Sequence, residues 1–134
     1  MKISYRQISK RCVLLSLVLF LNAALYAVSS TIPYDARKAD VIEQRDQTAF
    51  MAAQSASARS DFVTAMKACS RIIHGEGMFL HMNAPGNEQT WKQAHQRVIY
   101  LAMRTYETAK HCDAKKLQTN LVLLKNALDA EVRL

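Results

Sequence analysis

Glycine and proline are the residues that most effectively interrupt helices, and this chain of 134 residues contains only three glycines and two prolines. All five lie outside the strongly periodic segments, at Pro33, Gly75, Gly77, Pro85 and Gly86. Alanine, leucine, lysine, glutamine, glutamate and methionine dominate between these positions, and the period-two alternation that marks strands is missing. The pattern predicts an all-α protein, folded as a small three- to four-helix bundle.

The first two helical segments cover residues 34–55 and 61–74. The first carries a rough apolar stripe, and the second has a clean apolar face with the i, i+3, i+4 spacing of an amphipathic helix. Gly75 predicts the end of the second segment. The serine-rich stretch between them is either a break, with Ser60 as the next N-cap, or part of one long helix.

The third segment begins at Asn87, which is a typical N-cap, and its inner stripe runs through to Cys112. Asp113 is the expected N-cap of the fourth segment. That segment has a heptad-like row of leucines that ends on the polar Glu131, so we expect a buried stripe with a frayed end. The row consists of Leu117, Leu121, Leu124 and Leu128.

Residues 1–29 have the order of a secretory signal peptide: a basic start, an apolar run at residues 12–21 and a stretch of small residues. The apolar run of about ten residues is too short to cross a hydrocarbon layer. Cleavage is expected after Ala27 or Ser29, leaving residues 30–134 as a single helical domain. An uncleaved segment that anchors the domain to the outer side of an inner membrane is the alternative.

The net charge of +7 falls when the signal segment is set aside, because that segment holds four of the 18 basic residues and no acidic residue. The remaining excess is too small to favour a nucleic-acid partner. Contact with a membrane is expected only through the signal segment. The predicted location is the periplasm of a Gram-negative bacterium, or the medium outside it.

Two cysteines, Cys69 and Cys112, remain once the signal segment with Cys12 is removed. An even pair in an oxidising compartment predicts a disulfide bond. Both residues lie on apolar stripes, so the bond would join the second helix to the end of the third. In the chain-entropy model such a bond contributes about 4 kcal/mol.

Two histidines and two methionines lie close together at His74, Met78, His81 and Met82. Imidazole and thioether groups are ligands for copper(I) and haem iron, so these four residues define an alternative metal or haem site. The preferred interpretation is that they pack at a helix end and in a loop, without a cofactor. Glu76 and His74 are the one acid–histidine pair that the sequence suggests.

An exposed surface for recognition is predicted on the third helix at Arg97, Tyr100 and Arg104. His95 and His111, on the same helix, are expected to be surface histidines that are either solvated or satisfied by local hydrogen bonds. Hydrolase, zinc-protease and phosphate-loop motifs are all missing, so no catalytic residue is assigned and we do not expect an enzyme.

Together these observations predict an exported helical protein that acts by binding another envelope or secreted protein. An inhibitor, an immunity factor, a chaperone-like subunit and an accessory of an envelope or transfer apparatus all belong to that class. The alternative from another class is a small haem- or copper-binding bundle.

Overall fold

Four helices make up the part of the chain that the computed structural model describes, residues 32–134. They are α1 (Ala36–Ala58), α2 (Phe62–Leu80), α3 (Glu88–Lys110) and α4 (Ala114–Glu131). The predicted all-α bundle is therefore confirmed. No helix within these residues is long and apolar enough to cross a membrane. The predicted signal peptide lies outside the described residues.

Each helix begins at a side chain that accepts hydrogen bonds from the first turn. Oδ1 of Asp35 accepts from the backbone N–H groups of the next turn, and Oδ1 of Asp61, Asn87 and Asp113 each accepts from the N–H three residues later, at 3.1 Å. These bonds satisfy N–H groups that have no partner within the helix. The first two helices are separate, with Asp61 as the cap and Ser60 in the connecting turn at φ 54°.

Helix α2 does not end at Gly75 as the sequence predicted. It continues through Gly75 and Gly77 to Leu80. A glycine inside a helix costs about 1 kcal/mol relative to alanine, and tertiary packing of an amphipathic face can offset that cost. Phe79, beyond both glycines, is buried and supplies such packing.

Consecutive helices pack side by side, and α1 also meets α4, so the four close into a bundle. Short connections between packed neighbours make each pair antiparallel. Half of the 16 residues in the main core are alanines, which let the helices approach closely. The core consists of Ala49, Phe50, Ala53, Ala56, Ala65, Ala68, Ile72, Val98, Leu101, Ala102, Ala109, Leu117, Leu121, Leu124, Ala127 and Leu128.

A second, smaller apolar cluster lies at the end of the bundle where α2 connects to α3. Its buried members are Ala39, Ile42, Phe79 and Met82, with Trp91 packed against them. Ile32 is held at this end, because its N–H donates to His81 O at 2.9 Å and its carbonyl oxygen accepts from Asn83 N–H at 2.8 Å.

The predicted disulfide is wrong, because Cys69 and Cys112 are both free thiols. Helix α3 ends at Lys110, and Cys112 lies beyond it at φ 55°, where its side chain is exposed. Cys69 is buried in α2, where it faces a different level of α3. The antiparallel contact of Glu76 with His95 places Cys69 level with about residue 102, ~15 Å along the helix from Cys112 at 1.5 Å per residue. A disulfide needs Cα atoms within about 7 Å.

Candidate metal centre

A layer of polar side chains crosses the bundle between the two apolar clusters. Each helix contributes one of its members, at a position where the apolar stripe would otherwise continue. We call these four residues the polar layer: Asp46 of α1, Glu76 of α2, His95 of α3 and Glu131 of α4. The flanking stripe residues are Ile42 and Ala49 in α1, Ile72 and Phe79 in α2, Trp91 and Val98 in α3, and Leu128 in α4.

The polar layer is shielded from solvent. Glu76 is 0% exposed, His95 1% and Asp46 2%, and the side chain of Glu131 is 7% exposed. Ionisable side chains are rarely buried to this extent unless they are paired or bind a metal. Four of them at one level of a small bundle therefore require a compensating interaction.

The imidazole of His95 lies at the centre of this arrangement. Its Nδ1 is 2.7 Å from Glu76 Oε2 and 3.3 Å from Glu131 Oε2. One ligand atom from each of these three residues lies within 4.8 Å of the other two. The three side chains come from three different helices, so the tertiary fold is what brings them together.

Hydrogen bonds satisfy only part of the polar layer. Within the described residues, the buried atoms without a hydrogen-bond partner include Oδ1 and Oδ2 of Asp46, Oε1 of Glu76, Nε2 of His95 and Oε2 of Glu131. Leaving a buried polar group unsatisfied costs about 1–3 kcal/mol, and more when the group is charged. A proton shared between Glu76 and the carboxyl of Asp46 or Glu131 satisfies part of this set, whereas Nε2 of His95 keeps no partner within residues 32–134.

The electrostatics of the layer oppose ionisation of its acids. Burial, followed by the neighbouring carboxyls of Asp46 and Glu131, raises the pKa of Glu76 to about 12. Burial also raises the pKa of Asp46 to about 6. Glu43, one turn before Asp46 at the edge of the layer, has its pKa raised by burial and then by Glu131 and Asp40. Without a cation, the acids must hold protons or repel one another.

Aromatic rings fix the orientation of His95. The Phe79 ring is stacked on the imidazole with centroids 4.5 Å apart and planes 16° apart. The Trp91 ring meets the imidazole from another side at 4.3 Å and 64°. This contact holds the ring in place, as outer contacts do for the histidine ligands of metal sites.

Gly75 makes room for Asp46. A Cβ on Gly75 would collide with Oδ1 of Asp46, and it would lie 3.2 Å from Asp46 Cγ and 3.3 Å from Ile42 Cγ2. Gly77, two residues later, has open space where its Cβ would be. The glycine within α2 is therefore required by the approach of the α1 carboxylate, which explains why α2 carries a poor helix former at this position.

The ligand set fits a divalent cation. With metal–ligand bonds of about 2.1 Å, neighbouring ligands lie about 3.0 Å apart in an octahedron and about 3.4 Å apart in a tetrahedron. The 3.3 Å separation of His95 Nδ1 from Glu131 Oε2 is in that range, whereas the 2.7 Å separation from Glu76 Oε2 is that of a direct hydrogen bond and must widen by about 0.3 Å when a cation enters. One imidazole with carboxylates suits zinc, manganese or iron(II). A soft copper(I) ion prefers sulfur ligands, which the layer lacks.

The four residues of the alternative copper or haem site are divided between the surface and the interior. His74 and Met78 are exposed and line a groove between α1 and α2. Met82 is buried in the smaller apolar cluster, and His81 is the C-cap of α2. Glu76, which the sequence places close to His74, is hydrogen-bonded to His95 of another helix.

The residues predicted for recognition lie on the outer face of α3. Arg97, Tyr100 and Arg104 are all exposed, and the Arg104 guanidinium is 5.8 Å from the centroid of the Tyr100 ring. Tyr100 and Arg104 also line a groove of about 940 Å³ beside the start of α4. His111 is exposed as expected, with Nε2 3.9 Å from Glu107 Oε2. The expectation for His95 is wrong, because it is buried in the polar layer.

Sequence reasoning missed Asp46, His95 and Glu131 as members of one site. The available signal was a polar residue that interrupts an apolar stripe at a matching level on every helix. Glu131 even ended the leucine row, but its polarity suggested fraying. Comparison of the chain with protein-family models, with curated proteins and with solved structures gave no match, so any function must be argued from this geometry.

Proposed function

We propose that this protein binds a divalent transition-metal ion in the polar layer, with Glu76, His95 and Glu131 as ligands and Asp46 beside them. The observation that carries the proposal is the convergence of Glu76, His95 and Glu131 from three helices, with one ligand atom of each within 4.8 Å of the other two inside the bundle. A cation satisfies these atoms together, which no single hydrogen bond within the described residues does.

An energetic argument supports a role of the polar layer in ligand binding beyond the stabilisation of the fold. A buried ionic cluster is often no more stabilising than well-packed apolar side chains of similar volume. A continuous apolar stripe at this level would bury the helices against one another without desolvating three acids. Retaining the acids makes physical sense when a bound cation supplies the compensating charge, because metal binding then adds to the stability of the fold.

The proposed protein is an exported metal-binding bundle, with residues 1–29 as its signal peptide. Support for export comes from the basic start and short apolar run of that segment. In this proposal the metal is zinc, manganese or iron(II). Because the site is buried, the protein carries or stores the ion, a function that does not require catalysis.

The test uses metal-free protein and a matched pair of double variants. Zinc, manganese and cobalt(II) are titrated by calorimetry into chelator-treated protein, and cobalt(II) is also followed by its visible absorption. The first variant is Glu76→Gln with His95→Gln. The control is Glu107→Gln with His111→Gln, which removes an exposed glutamate–histidine pair from α3.

We expect a single tight site in the native protein and in the control variant, and loss of that site in the Glu76–His95 variant with its helix content intact. Absence of binding in the native protein would refute the proposal, as would equal binding by both variants. The Glu76–His95 variant keeps a buried polar pair of similar size, so we expect it to fold. Circular dichroism checks this and so distinguishes loss of the metal ligands from loss of the fold.

Binding of another exported protein is a second candidate, and the contact of Arg104 with Tyr100 beside the α3–α4 groove favours it. Exposed arginine and tyrosine side chains are common anchors of protein interfaces. Native mass spectrometry of the exported fraction tests this function. An additional subunit that is lost with Tyr100→Ala and Arg104→Ala, and kept with Val63→Ala on the exposed side of α2, would support it. A subunit that is still bound after Tyr100→Ala and Arg104→Ala would contradict it.

A further inference from the structure

A groove of about 850 Å³ runs between α1 and α2 on the outside of the bundle, directly over the polar layer. Asp46 and Gly75 belong to its lining, and Asp46 is also a member of the polar layer. Because Gly75 has no Cβ, the carboxylate of Asp46 fills this part of the wall, so one side of Asp46 belongs to the groove and the other to the polar layer. The groove is therefore the place where a molecule from solvent can approach the proposed metal centre.

Two arginines give the groove a positive charge. Arg45 on α1 and Arg71 on α2 both line it and are exposed, and neither forms an ion pair or side-chain hydrogen bond within residues 32–134. Asp46 is the one acid in the lining, and it points toward the acids of the layer. Arginine is the side chain best suited to bind a carboxylate or phosphate through two parallel hydrogen bonds.

The remaining wall is partly apolar. Val41 and Met78 are exposed hydrophobic residues in the lining, 49% and 40% accessible, and Ile42 lies beside them. A groove with cationic groups and apolar contacts for a few methylene groups is complementary to a small organic acid. A purely inorganic anion would leave the apolar contacts unused.

We infer that the α1–α2 groove binds a small carboxylic acid anion with a short hydrocarbon chain, held by Arg45 and Arg71. This anion lies next to the proposed metal centre, with Asp46 between them, and the coupling of the two sites rests on the proposed function. Asp46 connects the two sites, so a cation that neutralises it removes a negative charge from the floor of the groove. Anion binding and metal binding therefore strengthen each other, as linkage requires.

The experiment measures binding of butyrate by calorimetry at low salt, with the exported chain in metal-free and zinc-loaded forms. The test variant is Arg45→Gln with Arg71→Gln. The control is Arg37→Gln with Arg133→Gln, which removes the same charge from exposed positions outside the groove. Butanol tests the need for the carboxylate, and inorganic phosphate tests the need for the hydrocarbon chain.

We expect the Arg45–Arg71 variant to bind butyrate at least about tenfold more weakly than the native chain, the size of effect that loss of a charge-assisted hydrogen-bonded pair produces. The control should bind as the native chain does. Butanol and phosphate should bind more weakly than butyrate, and zinc should tighten butyrate binding at least about fivefold.

Equal butyrate binding by the two double variants, or none in the native chain, would overturn the groove assignment. Phosphate binding as tight as that of butyrate would overturn the assignment to an organic acid. If zinc does not bind but butyrate still depends on Arg45 and Arg71, the metal proposal and its coupling fail while the groove assignment holds. If zinc binds without changing butyrate affinity, the coupling alone is refuted.

Discussion

Replacing Glu76 by glutamine should make the metal-free protein more stable at neutral pH while removing its response to metal. The unfolded chain loses the Glu76 proton near pH 4.5, whereas burial keeps that proton on the folded, metal-free protein up to a pKa of about 12. Above pH 4.5 the folded state therefore binds more protons than the unfolded state, so the free energy of unfolding falls as pH rises.

The magnitude follows from the distance between pH 7 and the unfolded pKa. At 1.36 kcal/mol per pH unit, the interval of about 2.5 units corresponds to roughly 3 kcal/mol of lost stability. Glutamine has nearly the same shape and does not titrate. Glu76→Gln should therefore regain up to about 3 kcal/mol at pH 7, a rise in Tm of roughly 10–20 °C for a domain of this size. The gain should vanish near pH 4.5.

The assay is thermal unfolding by circular dichroism at pH 4.5, 5.5 and 7, with chelator and then with saturating zinc. Zinc at about 100 times its Kd should stabilise the native chain by about 2.7 kcal/mol and leave Glu76→Gln unchanged. Glu107→Gln on the exposed face of α3 should behave as the native chain at every pH. The reasoning fails if Glu76→Gln lowers the metal-free Tm at pH 7, or if native stability does not fall between pH 4.5 and 7.

Three further predictions concern other parts of the fold. Gly75→Ala should weaken zinc binding in a titration by displacing the α1 carboxylate, whereas Gly77→Ala should leave it unchanged and stabilise the fold by about 1 kcal/mol; equal effects on zinc affinity would contradict this assignment. Cys112→Gly should raise stability in urea unfolding by up to about 1 kcal/mol, because φ is 55° there, and a loss of several kcal/mol would instead indicate a disulfide with Cys69. Cobalt(II) should quench the fluorescence of Trp91, whose ring lies 4.3 Å from that of His95, and unchanged emission at saturation would place the ion elsewhere.

Local signals in the sequence were sufficient to predict the helices. Asn87 and Asp113 cap helices where the pattern placed them, because capping depends on a side chain and the N–H group three residues later. The leucine row of α4 is buried as its spacing predicted. The continuation of α2 past Gly75 was not predictable locally, since the reason for the glycine is a carboxylate on another helix.

The candidate site depends on contacts that no single segment reveals. Glu76 and His95 are 19 residues apart, and Glu131 is 36 residues further along the chain. Each is an isolated polar residue in its own helix, for which a surface location is the ordinary expectation. For the cysteines, the sequence predicted a contact that the structure does not contain. Two residues on apolar stripes were expected to meet, but their levels along the bundle differ and Cys112 lies beyond the end of α3.

The polar layer also has a consequence for the alignment of the helices. The main core is built largely from alanines, so its neighbouring levels resemble one another and would tolerate a slip of one helix along its partner. A slip of α3 by one turn would carry His95 away from Glu76 and leave both among apolar side chains, at a cost of several kcal/mol. The polar layer therefore selects a single register of the four helices, as a buried polar residue does in a coiled coil. A variant with an all-apolar layer would be expected to lose this selection and to populate more than one alignment of the same four helices.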